Sequence, residues 1–438
     1  MPSSANVHKS SVASIRPTAR GETDRCVVAM ESGEVRYHRD AVGERPVAGE
    51  RPVNSEPRTG IVIAGIPAVD MSLYHRIRFL VGDPSAWISW EEDGEQRSAL
   101  MVRDIEMDRA RRTARADEVT CPSEFEPPGG LSGDRGIATA QATAEFLVRH
   151  SIGRAIVHRD LPVLFAECFR ERGIDVVCDR DLGIVDRRSK DEEEIQHLRA
   201  AQLATESAMR LACETIARAD VDAAGTLLHE GRILTSEMVR SMIDLHLIEL
   251  GFSPRPAIVA CGPMGADCHE LGSGPLRTGE PVIVDIFPQD KKTRYNGDCT
   301  RTVVHGDISP RLAAMHAAVS AAKAASEAAT RAGVTGQAVH EAGLAEIRAH
   351  GFGVGLPPAG GGDYCGMVHG TGHGLGLDVH ESPLLDFKGP ELMVGDALTI
   401  EPGLYDVRVG GIRLEDLVIV TADGCVNVNT LPEGLDWR

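Results

Sequence analysis

Four acidic residues in the C-terminal half of the chain stand where carboxylates are costly. Asp285 lies at the end of the apolar run PVIVDI and Asp298 precedes the apolar segment CTRTVV, whereas Glu401 and Glu415 each interrupt a strongly apolar, strand-like segment. A carboxylate in such a strand is destabilising unless it is paired or coordinates a metal ion. Four carboxylates that converge without cations would repel one another, and some would become protonated. The pattern therefore predicts a cation-binding site.

Three histidines, His369, His373 and His380, lie in the segment MVHGTGHGLGLDVHESP, among glycines that let the backbone pass close to a site. One imidazole with four carboxylates forms a hard, oxygen-rich ligand set. Such a set favours two divalent ions such as Mn²⁺, Co²⁺ or Zn²⁺ over a cysteine-rich structural zinc site. The pattern GTGHGLG alone also suits a phosphate-binding loop, but no strand–loop–helix setting with a lysine follows it. The ordered series of acids and histidines therefore favours a metal centre.

Several segments together resemble the signatures of the pita-bread metallopeptidases, a group that includes methionine aminopeptidase, aminopeptidase P and prolidase: DIFP, NGDCTRT, HGTGHGLGLDVHE, TIEPGLY and GIRLED. The spacing of the three histidines and the ending Arg413-x-Glu415 are more similar to the proline-specific branch than to methionine aminopeptidase. The resemblance covers residues 185–438. It implies an α+β fold, in which a pita-bread catalytic domain follows a smaller, creatinase-like α/β domain at the N-terminus.

The resemblance also implies a role for each site residue. The implied metal ligands are Asp285 for one ion, Asp298 and Glu415 as bridges between two ions, and His373 with Glu401 for the second ion. The implied catalytic and substrate-contacting residues are Glu401, which accepts a proton from the attacking water, His269, His369, His380 and the supporting Arg413. The cofactors are then two divalent metal ions, with Mn²⁺ favoured and Co²⁺ or Zn²⁺ as alternatives.

The function implied by this resemblance is exopeptidase action on Xaa-Pro bonds, at the N-terminus of peptides or in dipeptides. The implied partners are a peptide with a free N-terminus and a second copy of the chain in a homodimer. Three other interpretations stay open: a metal-free, creatinase-like hydrolase that acts through histidine, a metal-dependent carbon–sulfur lyase, and a non-catalytic binding module. Asp285 and Asp298 are thirteen residues apart, more than is usual in the family, and we expect this longer loop to reshape the mouth of the pocket.

Patterns along the chain divide it into three predicted regions. Residues 1–58 are polar, contain the motif GERPV twice and predict a flexible arm. Between residues 59 and 185, apolar strand-like runs alternate with helical patterns, which predicts an α/β domain with a parallel sheet. The third region, 186–438, opens with a long helix predicted over 185–220, and further helices are predicted over 310–332 and 336–350.

Composition excludes several classes of partner. The chain has 438 residues, with 46 Lys and Arg against 65 Asp and Glu, so its formal net charge is −19. This acidic balance disfavours nucleic acid and anionic membranes. No apolar stretch of about 18 residues is present, and the N-terminus lacks the apolar segment of a secretory signal. The ten cysteines are scattered without a CxxC motif, which suits a reducing compartment, and we predict a cytoplasmic protein.

Overall fold

The computed structural model describes residues 28–31, 34–37, 58–358 and 362–438. The chain forms two compact units, residues 1–56 and 57–438. Within the first unit, strands β1 (Val28–Glu31) and β2 (Glu34–Tyr37) pair in an antiparallel ladder. The rest of the flexible arm predicted over 1–58 lies almost wholly outside the described residues. Among the helices of the described residues, none combines the length and the apolar character that a membrane crossing requires.

A six-stranded sheet opens the second unit, with the strand order β6-β5-β4-β3-β7-β8. Its strands are β3 (Arg58–Gly65), β4 (Ser85–Glu92), β5 (Glu95–Met101), β6 (Glu118–Thr120), β7 (Ile152–His158) and β8 (Asp175–Asp179). Strands β3, β7 and β8 are parallel, and so are β5 and β6, but β4 is antiparallel to both of its neighbours. The sheet is therefore mixed, and the prediction of a parallel sheet is wrong for its centre.

A tight hairpin explains this difference. Strands β4 and β5 are joined by Asp93 and Gly94, whose φ angles of 53° and 80° suit a two-residue hairpin turn. The first half of β5 is polar and largely exposed, because only its last three residues are buried. Strand β5 therefore lacks the apolar run that predicts a strand.

Four helices accompany this sheet: α1 (Met71–Ile77), α2 (Met107–Thr113), α3 (Arg135–Arg149) and α4 (Val163–Glu171). The regular pattern of apolar residues predicts α3 and α4 correctly. The sequence of residues 103–118 has the pattern of one long helix, but α2 is shorter, since a 3₁₀ turn (Asp104–Glu106) precedes it and the backbone becomes extended at Ala114, where ψ is 150°. The residues that follow enter β6 instead of continuing the helix.

The remaining helices are α5 (Glu192–Ala217), α6 (Ser236–Glu249), α7 (Pro310–Ala329) and α8 (Gly336–Ala349). The predicted long helix begins at 192 because Asp191 and Glu194 form a capping box, in which each side chain accepts a hydrogen bond from the other residue's backbone amide. Helices α7 and α8 confirm two predicted helices. Helix α6 was not predicted, although its buried residues recur at steps of three and four.

The rest of the unit contains five sheets among the described residues: three larger ones in the orders β13-β14-β16, β17-β18-β22-β23 and β20-β19-β21-β24-β25, and two small ones, β11-β10-β9 and β12-β15. The strands from residue 220 onward are β9 (Asp220–Val221), β10 (Leu227–His229), β11 (Arg232–Ile233), β12 (Phe252–Ser253), β13 (Ile258–Cys261), β14 (Pro281–Ile286), β15 (Gln289–Asp290), β16 (Cys299–Val304), β17 (Gly353–Val354), β18 (Cys365–Met367), β19 (Gly372–Gly374), β20 (Glu381–Leu385), β21 (Ala397–Ile400), β22 (Gly403–Asp406), β23 (Gly410–Arg413), β24 (Asp416–Val420) and β25 (Cys425–Asn427). Helix α5 packs on β14 and β16, α6 on β13, α7 on β23 and α8 on β20. The helices thereby cover the sheets from outside.

Glu194 joins three parts of this unit. Its carboxylate accepts hydrogen bonds from the Tyr295 hydroxyl (2.5 Å) and Arg78 Nη2 (2.8 Å), and His75 Nε2 lies at 3.1 Å. Burial on its own would raise the pKa of Glu194, but these hydrogen bonds hold that pKa well below its usual range. Because Tyr295 precedes Asp298 by three residues, Glu194 anchors the loop that leads to Asp298.

Replacing Glu194 by Ala would leave the half-buried Arg78 guanidinium without its charged partner. We expect the free energy of unfolding, measured in urea at neutral pH, to fall by about 3–5 kcal/mol. The control is Glu192→Ala, an exposed acid in the same helical turn, which should change stability by less than about 1 kcal/mol. Equal losses in both variants would contradict the role of Glu194.

The same network predicts how this stability difference depends on pH. Because the folded-state pKa of Glu194 is depressed, its contribution is complete above the pKa of an unfolded glutamate, about 4.3. The contribution is lost as the pH falls below that value towards the folded-state pKa. The difference between wild type and Glu194→Ala should therefore shrink below about pH 4.

Candidate active site

One cavity of about 370 Å³ lies where β14, β16, β19 and β21 meet the loops that follow them. All nine residues predicted for the site line it: His269, Asp285, Asp298, His369, His373, His380, Glu401, Arg413 and Glu415. Phe287, from the longer loop between Asp285 and Asp298, lines the cavity as well. Residues up to 146 positions apart in the sequence thus share one enclosed space.

Strand pairing places the two aspartates side by side. Strands β14 and β16 are antiparallel, with Asp285 opposite Thr300, so Asp298 stands just before the start of β16. The Gln202 side chain of α5 holds the Asp298 backbone from both sides: its Oε1 accepts from the Asp298 amide (3.0 Å), and its Nε2 donates to the Asp298 carbonyl (2.6 Å). The position of Asp298 is therefore fixed by a buried amide.

The other acids are fixed by backbone hydrogen bonds at strand ends. The Glu401 amide donates to the Thr371 carbonyl (2.7 Å), and the Glu415 amide donates to the Thr300 carbonyl (3.1 Å). His373 lies at the centre of β19, beside Gly372. A Cβ at Gly372 would come within 1.9 Å of the Thr399 carbonyl oxygen, so only glycine permits this close approach of β19 to β21.

The side chains converge on a common point. His373 Nε2 lies 3.5 Å from Glu401 Oε1 and 3.8 Å from Asp298 Oδ2. Ligand atoms of Asp298, His373 and Glu415 all lie within 4.8 Å of one another. Asp285 Oδ1 is buried and has no hydrogen-bond partner within the described part of the chain. This set of acceptors with too few donors fits divalent cations.

The electrostatics of the cavity support the same conclusion. Burial, followed by repulsion from neighbouring carboxylates, raises the pKa of Asp298 and of Glu415 well above the usual range. Burial likewise raises the pKa of Glu401. Burial also lowers the pKa of His373, which favours the neutral imidazole that a metal ion requires. Without cations, the acids would therefore have to take up protons.

Beside these acids lies a series of hydrogen-bonded side chains. The sequence did not predict this series. His369 Nδ1 is 2.7 Å from the Gly370 carbonyl oxygen, and burial lowers the pKa of His369, so the neutral ring carries its proton on Nδ1. Its Nε2 then accepts from the Tyr405 hydroxyl (2.7 Å), and the Tyr405 oxygen accepts from Arg413 Nη1 (3.0 Å). Arg413 Nη2 donates to Asp285 Oδ2 (2.7 Å).

The histidines that were predicted to contact the substrate differ in their surroundings. Both ring nitrogens of His369 are engaged within the protein, so His369 orients Tyr405 and Arg413. His380 is exposed, and its ring meets that of His373 edge-to-face at 4.3 Å between centroids. His269 is exposed at the rim of the cavity. Tyr405 was not singled out as a site residue, although it ends the segment TIEPGLY.

Comparison with known proteins identifies the class and then the family. Residues 196–422, which are more than half of the chain, match the family model described as "Metallopeptidase family M24". The fold and this match define the protein as a metallopeptidase. The chain belongs to metallopeptidase family M24. The prediction of the family from the sequence motifs is confirmed.

Curated relatives match a part of their length. The "Probable dipeptidase PepE" of Mycobacterium tuberculosis strain H37Rv is 38% identical over 181 residues, which are 41% of this chain and 45% of the relative. The "Xaa-Pro dipeptidase" of Pyrococcus furiosus is 30% identical over 184 residues, which are 41% of this chain and 49% of the relative. The chain thus matches about half the length of these relatives.

Solved structures share the fold over most of the chain. The "Xaa-Pro dipeptidase from Bacillus anthracis" has a TM-score of 0.70 and 23% identity, and the match covers 86% of this chain and 94% of that one. The "X-Pro aminopeptidase from Thermotoga maritima MSB8" has a TM-score of 0.69 and 21% identity, with 86% and 97% covered. The predicted α+β pita-bread fold with a smaller N-terminal α/β part is confirmed.

Replacing Tyr405 by Phe tests the hydrogen-bonded series. The change removes one hydrogen bond to a charged group and one to a histidine, so we expect kcat/KM for a peptide substrate to fall roughly ten- to a hundredfold. Tyr364→Phe is the control, since its hydroxyl donates to the Gly355 carbonyl away from the cavity. Unchanged kcat/KM in the Tyr405 variant would contradict the proposed orientation of His369 and Arg413.

Proposed function

We propose that this metallopeptidase is a dinuclear-metal exopeptidase that hydrolyses Xaa-Pro bonds, at the N-terminus of peptides or in dipeptides. The observation that carries the proposal is one cavity in which four carboxylates and a neutral imidazole converge with too few hydrogen-bond donors. The names of relatives and structural neighbours, which are Xaa-Pro dipeptidases and an X-Pro aminopeptidase, support the proline-specific substrate.

The proposed ligands divide between two ions. Asp285 would hold one ion, His373 and Glu401 would hold the other, and Asp298 and Glu415 would be ligands to both. Oxygen-rich donors with one imidazole favour Mn²⁺, and Co²⁺ and Zn²⁺ suit them as well. When bound, divalent ions at these residues would supply a water of lowered pKa as the nucleophile and would polarise the scissile carbonyl.

The chain's own residues move the proton and stabilise charge in this proposal. Glu401 accepts a proton from the attacking water and passes it to the leaving nitrogen, a task suited to a carboxyl whose pKa is raised by burial. His380 donates a hydrogen bond to the oxyanion that develops on the carbonyl. Arg413 fixes Asp285, and Tyr405 fixes Arg413 and His369. His269 contacts the substrate at the rim.

The proposal extends to the organisation of the protein. We place the N-terminal α/β domain at 59–185 and the catalytic domain at 186–438, and we propose a cytoplasmic homodimer. The alternative is a pita-bread enzyme of another reaction class, either a creatinase-like hydrolase or a carbon–sulfur lyase. A metal-free hydrolase does not require all five ligand positions, which are filled here, and a lyase would release a thiol instead of an amino acid.

The test uses the full chain, stripped with a chelator and reloaded with Mn²⁺, Co²⁺ or Zn²⁺. We expect hydrolysis of Ala-Pro and Ala-Pro-Leu but not of Ala-Ala-Leu. Failure to cleave any Xaa-Pro peptide with any of the three ions would overturn the proposed function.

Ligand variants complete this test. Asp298→Ala and Glu415→Ala should lose hydrolysis and lower the content of tightly bound metal from about two ions per chain to one or none. Asp307→Ala, an exposed acid nearby in the sequence, should behave as wild type. Full metal content in both ligand variants, measured by elemental analysis on folded protein, would exclude the bridging role.

A further inference from the structure

A second cavity, of about 870 Å³, adjoins the catalytic cavity. It lies between the carboxyl ends of β3 and β7 on one side and strand β20, which directly follows His380, on the other. His380 and Leu384 line both cavities, so the two spaces are continuous at the residue that we assign to the oxyanion. The carboxyl ends of strands in open α/β sheets are also where ligands commonly bind.

The lining of this larger cavity is mainly apolar and accessible. Val69, Leu384, Leu164 and Ile66 line it with 76%, 52%, 37% and 36% of their surface exposed. Phe165 forms part of its buried wall. Large apolar side chains that are gathered and exposed in a concave site indicate a ligand with apolar groups of its own.

Among the described charged side chains that line this cavity, Arg159 is the cation that remains available to bind a ligand. Arg187 is paired with Asp378 and Glu381, and Asp70 is paired with His158 at 3.0 Å. Arg159, which follows β7, is exposed and forms no ion pair with any of the described residues. The next residue, Asp160, is exposed as well, and its negative charge disfavours a ligand with many negative charges. The cavity therefore suits a peptide chain whose single carboxylate lies near Arg159.

A smaller cavity on the other side of the site differs in its charge. It has about 280 Å³ and adjoins the catalytic cavity at His369, Gly370 and Asp386. Its lining includes the acid Asp386 and, among the described residues, neither Lys nor Arg. A peptide that ends in a carboxylate is therefore favoured in the larger cavity.

We infer that the larger cavity binds the residues that follow the scissile bond in peptides longer than a dipeptide. In this arrangement Arg159 pairs with the C-terminal carboxylate of a short peptide, and Ile66, Val69 and Leu164 contact its apolar side chains. The inference rests on the proposed function and specifies its substrate class: Xaa-Pro peptides of three or more residues are cleaved in preference to Xaa-Pro dipeptides.

The first experiment compares kcat/KM of the Mn²⁺-loaded full chain for Ala-Pro, Ala-Pro-Leu and Ala-Pro-Leu-Leu. We expect at least a tenfold advantage for the longer peptides. Equal or faster cleavage of Ala-Pro overturns this inference and leaves the proposed function intact. Absence of cleavage of all three peptides overturns the proposed function, and this inference with it.

A matched pair of variants tests the cavity itself. Val69→Trp places a large side chain in the cavity, and Val163→Trp places one on α4 outside its lining at a similarly exposed position (74%). The Val69 variant should lower the ratio of kcat/KM for Ala-Pro-Leu to that for Ala-Pro at least fivefold, whereas the Val163 variant should keep the wild-type ratio. An unchanged ratio in folded Val69→Trp would overturn the inference.

A further variant tests whether Arg159 binds the C-terminal carboxylate of the peptide. Arg159→Gln should raise KM for Ala-Pro-Leu at least fivefold relative to KM for the C-terminal amide of the same peptide. Arg180→Gln, at an exposed position outside the cavity, should leave that ratio unchanged. An equal rise for the free acid and the amide would exclude the carboxylate contact.

Discussion

Mutual repulsion among four carboxylates, two of them buried and two half-buried, is the constraint on which the rest of this structure depends. Asp285, Asp298, Glu401 and Glu415 share one small cavity, and among the described residues only Arg413 contributes a permanent positive charge to its lining. Bringing such groups out of water is unfavourable unless cations or protons balance them. The fold therefore has to hold the acids in place against a force that drives them apart.

The two neighbouring acids Glu415 and Asp416 show how the fold does this. Successive residues of a strand point to opposite faces, and Glu415 faces the cavity whereas Asp416 faces the helix layer. Burial acts on both, but Arg301 and Lys323 lower the pKa of Asp416, whereas Glu401 and Asp285 add to the rise in the pKa of Glu415. The ion pairs of Asp416 (2.7 Å to Arg301 and 2.5 Å to Lys323) anchor the strand. Of these two acids, Asp416 is balanced by its ion pairs, and the unbalanced charge is that of Glu415 on the cavity side.

Sequence patterns indicated residues that the structure gathers in one cavity, but they described the architecture around that cavity less completely. Acids within apolar strands are costly, so their types and order indicated a metal centre, and all of the predicted site residues line one cavity. The roles of Tyr405 and Gln202 were not predicted, because a tyrosine in a strand and a glutamine in a helix are common in any core. These roles arise only from contacts with residues that are 36 and 96 positions away in the sequence. Strand β5 was not predicted because the polar residues of its first half do not alternate with apolar ones. The large cavity beside His380 depends on how two sheets face each other, which no local pattern encodes.

The most direct test of the account is calorimetric titration of Mn²⁺ into the chelator-treated, folded chain, followed by thermal unfolding at rising Mn²⁺ concentration. We predict saturation at about two ions per chain and an unfolding temperature that rises with Mn²⁺, because ions that bind only the folded state stabilise it by mass action. Absence of binding heat together with an unfolding temperature that does not respond to Mn²⁺, Co²⁺ or Zn²⁺ would show that the carboxylates coexist without cations and would contradict the account.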